Sequence, residues 1–144
     1  MRIIEFYLHT DPWGELSNFH PAPIHLDGQR WPTTEHYFQA AKFPGTPHAE
    51  LIRLAATPDR AKQLGGDRAA PLRADWLAVR DEVMRTALRA KFTQHEQLRA
   101  LLLDTADAQL VEHAVNDHYW GDGGDGSGVN RLGLLLMQVR AELS

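Results

Sequence analysis

The chain has 144 residues and a formal net charge of −4, with 15 basic and 19 acidic side chains interspersed. That length can bury a core without covalent staples, and the absence of cysteine excludes disulfides, thiolate metal sites and a cysteine nucleophile. The charge argues against a broad electrostatic grip on nucleic acid, and no apolar run is long enough to span a membrane. A single cytoplasmic domain is the expectation.

In chain order, residues 2–8 (RIIEFYL) alternate imperfectly and predict a strand. HTDPWGELSNFHPAP follows as a long loop. IHLDGQRW reads as a hairpin turning at Asp27-Gly28. Thr33 then caps a helix over about 34–43, with Glu35 in the first turn, where a carboxylate is favoured. An amphipathic helix over 48–56 comes next. Thr57-Pro58 opens a short helix that ends at Gly65-Gly66. Trp76, Val79, Val83, Met84, Ala87, Leu88 and Phe92 form a stripe that predicts a long helix from about Arg73 to Phe92. Thr93 and Glu96 stand at capping-box spacing and are expected to start another helix through Leu98, Leu101 and Leu102. The valines of 110–115 favour a last strand. Leu132, Leu135, Leu136, Val139 and Leu143 mark a C-terminal helix. The fold class is α+β, with helices around a small sheet.

Tyr119 to Gly133, YWGDGGDGSGVNRLG, holds six glycines in fifteen residues. A Walker loop needs a lysine that is missing here, and a calcium loop needs a closing Glu that is also missing. Glycines let a ligand touch bare backbone, and exposed N–H groups before a helix start suit an anion. Trp120 offers a flat face to a base. The bland alternative is a surface hairpin, against which stands the tryptophan beside the first glycine.

On the helix after Thr33, Glu35, Gln39 and Lys42 share one face, which suits either a polar cleft or an ordinary solvated surface. His36 reads as a packing residue that hydrogen-bonds. The eight histidines show no metal-binding spacing, so no metal centre is expected. Trp76 is either core or a stacking surface. Arg68 is either a phosphate contact or a surface arginine.

Taken together, SNF (17–19), WPTTEHYFQAAKF (31–43), LGGDR (64–68), DW (75–76), MRTALRAKF (84–92) and YWGDGG…GVNRLG (119–133) resemble the NADAR superfamily and its YbiA-like branch. The resemblance runs in order along nearly the whole chain. It implies a metal-free α+β domain that cleaves the bond between ribose 5-phosphate and an aminopyrimidine, using reactive intermediates of riboflavin synthesis as substrates. The alternative it leaves open is removal of ADP-ribose from guanine in DNA or from another conjugate, or binding of such a nucleotide without cleavage.

The resemblance puts the motif carboxylate on Glu35, the helix lysine on Lys42, and its glycine-rich elements on Trp120-Gly121 and on Gly128, Asn130, Leu132 and Gly133; the roles expected of the side chains follow from a cationic transition state at the anomeric carbon. Glu35 carries the motif carboxylate and acts on the anomeric carbon, either by orienting water or by direct attack. Asp122 holds ribose hydroxyls or assists the water. Lys42 and Arg68 bind phosphate, and Trp120 or Trp76 stacks on the base. Asn18 and Asn130 fix loops or bind the leaving group. Gly121 belongs to the WG element, and Gly128, Leu132 and Gly133 to the one that follows. The expected partner is a small ribosyl phosphate, with DNA only under the alternative, and no cofactor is called for.

Overall fold

The computed structural model describes residues 2–144. Its contacts divide it into two compact units: the contiguous stretch Pro21–Lys91, and the chain up to His20 together with Phe92–Ser144.

The contiguous unit begins with a hairpin. Strands β2 (Ile24–Leu26) and β3 (Gln29–Trp31) pair antiparallel. Asp27 and Gly28 turn the chain with φ of 55° and 73°, as the dipeptide predicts. Helix α1 (Thr34–Ala40) follows, and the Thr33 hydroxyl accepts from the His36 N–H to cap it. Helices α2 (Pro47–Arg53) and α3 (Pro58–Gly65) both start on a threonine cap followed by proline. They pack on α1 and on each other. The long helix α4 (Trp76–Gln94) adds Ala87 and Ala90 to a core of Ile24, Trp31, Phe43 and Ile52.

In the other unit, β1 (Ile3–Phe6) pairs parallel with β4 (Gln109–Glu112), Ile3 opposite Gln109. Helix α5 (Glu96–Asp104) packs on α6 (Arg131–Leu143), and α6 packs on β4. Leu102, Leu110, Leu132, Leu135, Leu136 and Val139 are buried at 1% exposure or less. The Arg140 guanidinium donates to the Thr105 hydroxyl and the Ala108 carbonyl, both at 2.8 Å, which ties the end of α6 to the turn before β4.

The architecture is α+β, with two two-stranded sheets where a single small sheet was expected. One expectation fails outright. Thr93 does not cap α5, because α4 continues through Gln94 and His95 takes the cap position without a side-chain capping bond. The favourable α4 stripe outweighs a weak local start signal. No helix among the described residues is long and apolar enough to cross a membrane.

Candidate active site

Helix α1 carries the first group of candidate residues. Helical spacing puts Glu35 and Gln39 one turn apart, and Gln39 Nε2 donates to Glu35 Oε2 at 2.7 Å. Both are buried, at 7% and 5% exposure, so this carboxylate sits outside bulk water. On the neighbouring face, His36 Nε2 meets the Ala55 carbonyl at 3.0 Å and Nδ1 meets the Thr33 hydroxyl at 2.8 Å. A carbonyl only accepts, so Nε2 carries the proton and Thr33 donates to Nδ1. Burial holds the His36 pKa below its ordinary value, which keeps this imidazole neutral and structural.

Lys42 lies just past the end of α1. Its Nζ stands 5.9 Å from the ring centres of both Phe38 and Trp76 and 3.4 Å from the Gly65 carbonyl. Burial pushes this amine below its ordinary pKa; the Glu35 charge pulls in the opposite direction, and Lys62 adds to the fall. Trp76 opens α4, is 8% exposed and meets Phe38 edge-on at 5.1 Å. It is therefore both a core residue and a wall. A cavity of about 260 Å³ is lined by Lys42, Gly65, Gly66, Arg68 and Trp76. Three of the predicted substrate-binding residues meet there: two cations and an indole.

Asp122 and Asn130 meet in a second cavity, of about 310 Å³, lined also by Glu5, Gly126 and Gly128. Asp122 is 6% exposed; its Oδ1 accepts from the Gly124 N–H at 2.8 Å and its Oδ2 pairs with His113 Nδ1 at 2.9 Å. Burial pushes the Asp122 carboxyl up, but His113 and the Gly124 amide outweigh it and the net direction is down. Bonding to Asp122 raises the His113 pKa, and the nearby charges of Asp122 and Glu5 add to the effect. Glu5, His113 and Asp122 each bring one potential ligand atom within 4.8 Å of the others, the only such donor set among the described residues. The set is a hydrogen-bonded His113–Asp122 pair with the Glu5 carboxylate 3.4 Å from the same ring nitrogen. Sequence spacing gave no sign of it, because residues 5, 113 and 122 are joined by the β1–β4 pairing and the loop.

The glycine stretch is well tied down. Asn130 N–H donates to the Gly121 carbonyl, Gly128 N–H to Asp122, and Val129 N–H to His118. Asn130 occupies the left-handed region at φ 56°. Its amide bridges to β4, accepting from the Glu112 N–H and donating to the Leu110 carbonyl, both at 2.9 Å. A side chain at Gly121 would meet the Ala114 Cβ at 2.8 Å and two backbone oxygens at 3.0 Å, so glycine is required there for space. Trp120 is half-buried and meets Tyr119 edge-on at 4.9 Å; it does not line the cavity that holds Asp122. Asn18 is buried in the loop before β2, at 9% exposure.

A small α+β protein with two cations and an indole around one cavity, and a buried carboxylate on the adjoining helix, suits an anionic ligand that carries a flat ring. The chain belongs to the NADAR domain family, whose model matches residues 5–144. It is 56% identical over 142 residues to the N-glycosidase YbiA of Escherichia coli, covering 99% of this chain and 89% of that one. The solved NMR structure of the E. coli protein YbiA superposes with a TM-score of 0.91 at 56% identity, over 99% of this chain and 84% of that one. A Vibrio vulnificus protein named as a riboflavin biosynthesis protein is 44% identical over 140 residues, covering 97% of this chain and 38% of its own.

Proposed function

We propose that the protein hydrolyses the N-glycosidic bond of ribosylaminopyrimidine 5′-phosphates, releasing ribose 5-phosphate and the free aminopyrimidine. The coarse part of this reading, an enzyme that hydrolyses N-glycosyl compounds, rests on family membership and on relatives of that name matching nearly the whole chain. The finer part takes support from a relative named for riboflavin biosynthesis. The observation that carries it is the cavity in which Lys42 and Arg68 stand with Trp76. Two cations suit a phosphate, and an indole suits a pyrimidine. A cavity of about 260 Å³ favours a mononucleotide-sized ligand over a larger conjugate.

Cleavage breaks the bond from C1′ to nitrogen. The electron pair leaves with the nitrogen, which takes up a proton, and water supplies hydroxyl to C1′. The transition state carries positive charge at C1′ and the ring oxygen, and a carboxylate held out of water stabilises it strongly. Glu35 is the group assigned to that task, by orienting the water or by attacking C1′. Asp122 is assigned to the ribose hydroxyls or to the water. The reading calls for no cofactor.

The test is incubation with ribosylaminopyrimidine 5′-phosphate and, in parallel, with DNA carrying ADP-ribosyl-guanine. Release of free aminopyrimidine in the first arm alone is the expected result. Release of ADP-ribose alone, or tight binding with no release in either arm, overturns the proposal.

A further inference from the structure

Gln39 lies between the assigned carboxylate and the cavity wall, and its two amide atoms have unequal surroundings. Nε2 donates to Glu35 Oε2 at 2.7 Å. Oε1 is buried and has no hydrogen-bond partner. A buried carbonyl left unpaired is destabilising, so this arrangement persists against a cost. The space that Oε1 occupies belongs, in any other residue, to the side chain of position 65. A Cβ built on Gly65 would stand 1.9 Å from Gln39 Oε1 and 2.6 Å from its Cδ. Gly65 itself lines the cavity with Lys42, Arg68 and Trp76. It does not have positive φ, so backbone conformation does not demand glycine here. Room for the Gln39 amide does.

We propose that Gln39 is a positioning residue that holds Glu35 as an aligned carboxylate, and that position 65 is glycine to make room for its amide. The proposal rests on Glu35 being the charged group of the reaction assigned above. An amide N–H stabilises the ionised carboxylate and fixes its orientation toward water or C1′. Its other end, pinned against Gly65, stops the amide from swinging away. Loss of that bond loosens the alignment of the carboxylate, and small misplacements of a reacting group lower rates steeply.

The experiment has two parts on the full chain. First, the Glu35 carboxyl is titrated by carbon NMR in the wild type and in Gln39→Leu, with Gln39→Met as the second variant should the first not fold. The expected result is an upward shift of the Glu35 midpoint by about one pH unit, because a donor to the charged form is lost. On the aminopyrimidine ribotide, kcat falls about tenfold with KM nearly unchanged, and the acid limb of the kcat profile moves up with the midpoint. Second, the melting temperature is compared for Gly65→Ala alone and in a Gln39→Ala background. The loss caused by Gly65→Ala is expected to vanish once the Gln39 amide is gone.

An unmoved Glu35 midpoint in a folded Gln39 variant overturns the positioning role. An equal loss from Gly65→Ala in both backgrounds overturns the account of position 65. Both readouts are independent of substrate. Failure of the functional reading shows elsewhere, as normal turnover by Glu35→Gln.

Discussion

Helix α1 and the glycine stretch each carry a buried carboxylate, and they hold it by different means. On α1 the backbone is occupied in its own helix, so side chains do the holding: Gln39 grips Glu35 and Thr33 grips His36. In the 119–130 stretch no helix or strand forms, and backbone N–H groups join a side chain in the holding: Gly124 N–H and His113 Nδ1 both meet Asp122, and Asn130 N–H donates to the Gly121 carbonyl. A helix presents functional groups at spacings that can be read from the chain. A loop knits its groups together through contacts that no periodicity announces. The glycines are needed for this, since Gly123, Gly124 and Gly126 take φ of 74°, 87° and 86°.

Four substitutions break or sharpen the contrast. The largest effect belongs to Glu35→Gln, which keeps the shape and removes the charge. A loss of about 10²-fold or more in kcat, at a melting temperature near wild type, is expected from steady-state assays. Normal turnover by the folded variant removes Glu35 from the reaction.

Asn130→Ala tests the loop. It strips partners from the Glu112 N–H and the Leu110 carbonyl and leaves alanine at a positive φ of 56°. A loss of about 3 kcal/mol in denaturant unfolding is expected. A loss below about 0.5 kcal/mol, the ordinary range for surface changes, means that the bridge to β4 does not organise the stretch.

Thr33→Ala removes the cap of α1 and the donor to His36 Nδ1. About 1 kcal/mol is expected from chemical denaturation. No change would show that α1 starts without help from its cap.

The smallest effect is a pH dependence. His113 faces Asp122 and Glu5, and its pKa is raised in the folded chain. The stabilisation from this set is therefore fully present below the ordinary histidine pKa and is lost as pH rises through the raised one. Melting temperatures of the wild type and His113→Gln should converge as pH climbs through that window. A constant difference at every pH would show that ionisation of His113 contributes nothing to folding.

How far these features can be read from the sequence follows the same division. Asp27-Gly28, Thr33, Thr46-Pro47 and Thr57-Pro58 act through neighbours within four residues, and three of these four local signals were legible in advance. The sequence pattern starts the second helix at 48, one residue past Pro47. Thr93 and Glu96 form an equally local signal that gave way to the longer stripe of α4. Glycine 65 was legible as a helix stop, yet its role against Gln39 comes from a neighbour 26 positions earlier, across α1 and α3. Asn130 is expected from the sequence to fix a loop or bind the leaving group. Its grip on Leu110 and Glu112 is not legible there, because it depends on where β4 lies in space.

The pairing of Ile3 with Gln109 also bears on how the chain is made. A ribosome releases residues in order, and segments close in sequence can condense while the remainder is still being added. The stretch Pro21–Lys91 is contiguous and is free to do so. The opening strand has to wait, its edge unpaired, for a partner more than a hundred residues behind it, and until then it presents the unsatisfied backbone groups of an exposed strand edge.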